Sequence, residues 1–363
     1  MSKISKKPKG LFSKIWREAK RALRRNKTRR YYFRPVSLAF PAFTPVNLSS
    51  EEILKELKAL NGFAFCPNHG NMGDAVIAMA TYQFFETNGL KCELLQEHSA
   101  PENLVYGGGG RFISDYKEHY QEQLKVFQKT CLKKIIILPS SFNDCPDLLE
   151  IMDERFTVFC REEKSYNYLL SSGVKAKVIL AHDMAFFITD DFQKNVALPL
   201  CHEFRRPWRK IMESASRLSQ QDGFSVAYFL RTDTEASADW GKIDIQPTLD
   251  LSLVVISDSR DPNEVSYFSK LFFAGIDMAD VVITDRLHVG IGATLLGKEV
   301  FLFDNHYGKI SGVYKRSMQQ CPHAHFVDDV QKLPDILARA IDEGRVKRTA
   351  SLKNLEKIGE VLP

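Results

Sequence analysis

The chain has 363 residues, too many for one compact core and enough for two domains. Its 44% hydrophobic and 26% charged residues suit an ordinary soluble globular protein, and no apolar run approaches the roughly 20 residues that span a bilayer. No signal-peptide pattern directs secretion, and seven scattered cysteines without a C-x-x-C pair fit reduced cytosolic thiols rather than disulfides or a zinc site.

Charge is uneven along the chain. Residues 1–35 hold 14 Lys/Arg and one acidic residue, Glu18, a net of +13, so the remainder carries +5 minus 13, or −8. Within this tail Leu11, Phe12, Ile15, Trp16, Ala19, Ala22 and Leu23 recur at helical spacing, with Lys and Arg on the other faces. The pattern predicts a basic amphipathic helix lying on an anionic membrane surface; a solvated arm is the alternative. An arm for nucleic acid is disfavoured, because the body is acidic and carries no module that reads bases. Residues 1–50 are assigned to this tail.

From residue 60 short apolar runs alternate with helical patterns. Strands are predicted at Phe63–Pro67, Cys92–Gln96, Leu104–Tyr106, Ile135–Leu138, Thr157–Cys160 and Lys177–Leu180, with helices at Ala75–Thr87, Asp115–Lys129 and Glu163–Ser171. This alternation predicts a parallel sheet with crossover helices. A polar, less regular stretch from Asp190 to Asp222, containing Arg205-Arg206-Pro207, reads as the passage to a second domain. The pattern then restarts with strands at Phe224–Leu230, Leu253–Ser257, Val281–Thr284 and Val300–Phe303 and a helix at Glu264–Met278. The expected fold is α/β, two Rossmann-like parallel-sheet domains facing across a cleft, at residues 51–205 and 206–345, followed by a C-terminal helix at 346–363.

Unusual residues collect where predicted strands end. Asn68-His69-Gly70-Asn71-Met72-Gly73-Asp74 opens a helix; its glycines admit close backbone approach, and Asp74 can cap the helix or accept a hydroxyl. Gly107 to Gly110 precede Arg111, but no Lys-Ser/Thr follows, so neither glycine segment is a P-loop. Further strand ends carry Arg161-Glu162 with Ser165, His182-Asp183 and Arg231-Thr232-Asp233-Thr234-Glu235. The most informative are Asp285-Arg286-Leu287-His288 and Asp304-Asn305-His306-Tyr307-Gly308-Lys309. Cations at strand ends and helix starts describe an anion site.

These residues, in this order, resemble the polysaccharide pyruvyl transferase family over roughly residues 60–315. Asn71-Met72-Gly73-Asp74 is similar to its N-x-G-D turn, Gly107–Gly110 to its glycine run, and Thr284 to His288 with Asp304 to Lys309 to its most specific pair of motifs. Departures are His306, where the family often carries a small polar residue, and Thr234 within R-x-D-x-E. The resemblance implies a GT-B-like enzyme that moves a pyruvyl group from phosphoenolpyruvate to two hydroxyls of a sugar, forming a cyclic ketal and releasing phosphate. The setting it implies is surface-polysaccharide assembly, in the cytoplasm or at the inner face of its membrane.

Phosphoenolpyruvate is then a co-substrate, and no cofactor or metal is expected; His323-Ala324-His325 lacks a third ligand. Guanidinium forks match both phosphate and carboxylate, so Arg231 and Arg286 are the candidate donor-binding residues, with Lys309 as a point charge. His288 is the candidate proton donor to the enol carbon; Asp233, Glu235 and Asp285 are unranked candidates to take a hydroxyl proton or orient His288. Across the cleft, Asn71, Asp74, Gly109, Arg111 and Arg161 are candidates for a sugar or lipid-linked oligosaccharide acceptor. Two other readings remain open: a GT-B glycosyltransferase using a nucleotide sugar, and a non-enzymatic membrane scaffold.

Overall fold

The computed structural model describes residues 40–189, 202–233, 235–236, 240–243 and 245–347. The basic tail up to residue 39 lies outside the described residues, as does the C-terminal helix expected at 346–363 apart from Val346 and Lys347, which are not helical.

The fold is mixed α/β. One sheet contains seven strands, β1 (Phe63–Cys66), β3 (Cys92–Leu94), β4 (Asn103–Tyr106), β5 (Gly109–Ile113), β6 (Lys134–Asn143), β7 (Phe156–Cys160) and β8 (Lys177–Leu180). Every pairing in it is parallel, in the order β3-β1-β4-β6-β7-β8, with β5 paired to the end of β6. The second sheet contains β9 (Ser219–Gln221), β10 (Phe224–Phe229), β12 (Val281–Thr284), β13 (Glu299–Leu302) and β14 (Ala324–Phe326), in the order β14-β13-β12-β10-β9. Only β9 is antiparallel there. A two-stranded antiparallel link, β2 (Gly70–Asn71) with β11 (Ile256–Ser257), stitches the chain after β1 to the second half.

The central strands are apolar and buried on both faces, as covered parallel sheets require. Val281–Thr284 and Phe156–Cys160 are buried at every position. Strand order reverses direction at β1, whose neighbours are β3 on one side and β4 on the other. Loops leaving β1 and β4 therefore diverge, opening a crevice at their carboxyl ends. The Asn68–Asp74 and Gly107–Arg111 segments occupy that crevice. Helix Met72–Thr87 then packs against Pro262–Asp277, and one apolar cluster takes Met72, Val76 and Met79 from the first with Phe272 and Ile276 from the second.

Three expectations are corrected. The stretch read as irregular contains a helix at His202–Ser214, with Pro207 inside it. Proline removes one helical hydrogen bond there, but Ile211 is fully buried in the shared core, where its methyl group packs at Gly275 beside Leu251. The strand expected at Leu253–Ser257 is a 3-10 turn at Leu251–Val254 followed by the two-residue β11. It does not join the second sheet, because Thr248 already bonds both polar backbone groups of Tyr228 at the edge of β10. The glycine run is only partly a loop, since Gly109 begins β5 opposite Ser140 of β6.

Candidate active site

The carboxyl ends of both sheets face a cleft of ≈ 510 Å³. On the second-sheet side, Thr284 makes the strand-to-helix turn. Its hydroxyl donates to Phe229 O at 2.7 Å and accepts from Arg286 N at 3.0 Å. Asp285 lies beneath the cleft, fully buried, and accepts from the backbone N–H of Arg231 at 2.7 Å and from Trp240 Nε1 at 3.3 Å. It clamps the ends of β10 and β12 together, which brings Arg231 and Arg286 to one edge. Burial pushes the Asp285 carboxyl above its ordinary range despite those hydrogen bonds.

Both guanidinium groups hold protein carboxylates. Arg231 forks onto Asp233 through Nε at 2.8 Å and Nη2 at 3.1 Å, and Nη2 also reaches Glu235 at 3.0 Å. Arg286 forks onto Asp250 at 3.0 and 2.5 Å and places Nη1 2.8 Å from Asp233 Oδ2. Glu235 Oε2 accepts from Lys309 Nζ and Asn305 Nδ2, each at 3.0 Å, while Tyr116, reaching across from the first half, donates to Oε1. Burial alone would raise the Glu235 pKa, but Lys309 and Arg231 outweigh it and hold the carboxyl well below the usual range. The Asp233 carboxyl is likewise lowered, burial being outweighed by Arg231 and Arg286. Lys309 moves the other way: burial brings its ammonium down to about 8, offset only in part by Glu235.

The first-sheet wall is built differently. Asn71 caps helix Met72–Thr87 by accepting from Gly73 N at 2.8 Å, and Asp74 closes the box by accepting from Asn71 N at 2.9 Å. Arg111 lies on His69, with Nη1 3.3 Å from the ring Nε2 and Nη2 donating to the His69 carbonyl. Burial, followed by the Arg111 charge, lowers the His69 pKa. Gly109 stands behind this wall against Asn68 and does not line the cleft, whereas Gly110 does. Arg161 is almost wholly buried; it donates to Ser141 Oγ at 2.8 Å and to Asp183 Oδ2 at 2.7 Å, and its Nη2 points with Lys309 Nζ at the space over Gly110.

His288 crosses the gap between the walls. Its ring lies against Gly73, where an added Cβ would come within 2.5 Å of Nδ1. Its Nε2 is buried without a hydrogen bond and faces Asp183 Oδ2 at 3.5 Å. Asp183 is fully buried, yet the His288 ring and Arg161 outweigh burial and keep its carboxyl far below the ordinary range.

A family model described as polysaccharide pyruvyl transferase matches residues 71–307. This chain belongs to the polysaccharide pyruvyl transferase family. Among its relatives is a protein of Bacillus subtilis named as the putative pyruvyl transferase EpsO, 24% identical over 76% of this chain and 91% of the relative. Pyruvyl transferase 1 of Schizosaccharomyces pombe is 24% identical over 78% of this chain and 74% of that protein. The crystal structure of an uncharacterised protein from Klebsiella pneumoniae superposes with a TM-score of 0.59 at 29% identity, covering 77% of this chain and 96% of that one.

In the cleft, ten of the sequence-predicted residues line one space: Asn71, Asp74, Arg111, Arg161, Arg231, Asp233, Glu235, Arg286, His288 and Lys309. Asp285 and Gly109 support it from behind. Sequence reasoning missed His69, Tyr116 and His119 in the lining, Asp250 as the partner of Arg286, and the facing of Asp183 to His288. Asp183 had a signal in its place after a strand; Asp250 had none, because it meets Arg286 from a loop 36 positions away. Leu253 and Ile256, two exposed apolar side chains, form part of the rim. His323 and His325 both face the buried Glu299, at 3.3 and 2.7 Å, away from the cleft residues. Among the described residues no helix is long and apolar enough to cross a membrane.

Proposed function

We propose that the cleft transfers a pyruvyl group from phosphoenolpyruvate to two hydroxyls of a sugar in a surface polysaccharide or its lipid-linked precursor. In this reading the two sheets are the halves of a GT-B-like enzyme, the second holding the donor and the first the acceptor. The observation that carries it is the convergence of Arg231, Arg286 and Lys309, from the ends of three adjacent stretches of the second sheet, on the space that His288 enters. A donor bearing both phosphate and carboxylate suits two guanidinium forks and a nearby ammonium. Asp233 is the carboxylate such a donor displaces most readily, because its side chain is 29% exposed against 1% for Glu235 and 7% for Asp250. Once displaced, Asp233 is free to accept a hydroxyl proton.

Protonated His288 delivers its proton to the methylene carbon of the enol, which becomes a methyl group and leaves the neighbouring carbon electron-poor. A sugar oxygen bonds to that carbon and its proton passes to Asp233. The carbon–oxygen bond to phosphate then breaks, the second sugar oxygen closes the ketal, and its proton restores His288. The proton on Asp233 leaves with phosphate, so atoms and charge balance. A general acid of this kind contributes about 10²–10⁴-fold in rate.

The deciding experiment is acceptor-dependent phosphate release from phosphoenolpyruvate with a panel of sugars, followed by mass analysis of the product. One phosphate per ketal is expected. No consumption of phosphoenolpyruvate with any acceptor, together with thermal stabilisation by uridine nucleotide sugars, would overturn this reading.

A further inference from the structure

Asp183 is a fully buried carboxylate of the first half that faces a ring of the second. Its Oδ1 accepts from Ala185 N at 2.9 Å and caps the 3-10 turn Met184–Phe187, and its Oδ2 accepts from Arg161. Those partners account for a structural role. They do not account for His288, whose Nε2 is buried, makes no hydrogen bond, and faces the same Oδ2 at 3.5 Å. A buried ring nitrogen is left unsatisfied only at a cost, and a small ring rotation would close this gap to a charge-assisted hydrogen bond. The other ring nitrogen, Nδ1, lies against the glycine at position 73, the residue type that leaves it uncovered.

We propose that Asp183 is the positioning residue for His288: it takes the Nε2–H, fixes the ring across the gap between the two sheets, and leaves Nδ1 as the nitrogen that exchanges a proton with the molecule in the cleft. This rests on the reading of His288 as the proton donor. Asp233, Glu235 and Asp285, the carboxylates expected to orient His288, are engaged elsewhere, by Arg231, Arg286, Lys309 and Trp240. The arrangement also gives the first half a part in the chemistry beyond holding the acceptor, because the proton donor is aligned only when the two halves are together. Asp183 touches no substrate; it acts through the ring it orients and the tautomer it selects.

Two measurements test the assignment. In full-length protein labelled with ¹⁵N-histidine and held near pH 8, above the ordinary histidine range, His288 should show a protonated Nε2 and an unprotonated Nδ1, its signal identified by its loss in His288→Ala. The opposite tautomer overturns the proposal. This arm needs no substrate and no Asp183 variant, so it decides the placement even where Asp183→Asn fails to fold or no pyruvyl transfer is found. In the active enzyme, Asp183→Asn should lower kcat by about 10²-fold or more while leaving KM for phosphoenolpyruvate nearly unchanged, the signature of an interaction lost from the transition state. A kcat equal to wild type would overturn the proposal and leave pyruvyl transfer standing.

Discussion

The two walls of the cleft reach the same place by different means. The second-sheet wall is an interlocked set of charges, with Arg231, Asp233, Glu235, Asp250, Arg286 and Lys309 each holding at least one opposite partner. The first-sheet wall is made mainly of backbone, helix caps and glycines, with its strongest ion pair, Arg161–Asp183, withdrawn to 1% and 0% exposure. A paired charge network is stiff and already oriented, which suits binding a small anion of fixed shape. A wall of caps and glycines leaves room, which suits a bulkier partner. Charge content alone therefore does not locate the chemistry; His288, the proposed proton donor, sits where the crowded wall meets the open one.

Breaking the first wall should show the largest effect. Arg161→Ala takes the guanidinium away from Asp183 and leaves that fully buried carboxylate to the Ala185 N–H and the His288 ring, which costs about 3–5 kcal/mol of stability in urea unfolding. A loss under about 1 kcal/mol would mean that this wall is held by packing. Next is Gly73→Ala. The new Cβ would lie 2.5 Å from His288 Nδ1 and 2.9 Å from its Cβ, so the ring must move. Turnover should drop about 10²-fold, the size of an ångström-scale misplacement, with the fold retained by circular dichroism. Unchanged turnover would detach His288 from the chemistry. The second wall should yield more gently: Asp233→Asn removes one member of a shared network at a partly exposed position, for about 1–2 kcal/mol. Because it releases donors on both Arg231 and Arg286, it should tighten binding of inorganic phosphate in calorimetry. Weaker binding would show that Asp233 orients the guanidinium groups instead of competing with the ligand.

What could be read in advance divides along the same line. Strands such as Val281–Thr284 and Lys177–Leu180, and the helix Glu163–Ser171, were legible to the residue, because apolar runs ended by polar turns are local signals. Arg231, Arg286, His288 and Lys309 were legible as a group because they follow strand ends. The role of Asp285 was not, since a carboxylate in a turn looks the same whether it faces a ligand or staples two strands, and only the backbone N–H of Arg231 decides. Helix His202–Ser214 was hidden by Pro207 and its charged neighbours, and became a helix because Ile211 has a core to enter. Asp183 and Asp250 depend on the meeting of distant segments, information that no local pattern carries.

Acidity offers the finest comparison, between the cleft and the seam where β11 leads into helix Pro262–Asp277. Asp183 and Glu235 titrate below their ordinary range when folded, so their stabilisation is present above about pH 4.5 and is lost as acid protonates them. Glu264 behaves oppositely: burial, then Asp258 and Asp261, raise its carboxyl to about 7. The native state therefore keeps a proton that the unfolded chain has already released between about pH 4.5 and 7, and stability from this group falls as pH rises through that window. With screening at this half-buried position the effect is on the order of 1 kcal/mol. Urea midpoints of wild type should thus decline from pH 5 to pH 7 relative to Glu264→Gln, while both proteins lose stability together below about pH 4 as the cleft carboxylates are neutralised. Parallel curves across the upper window would place Glu264 in water and return the seam to an ordinary loop.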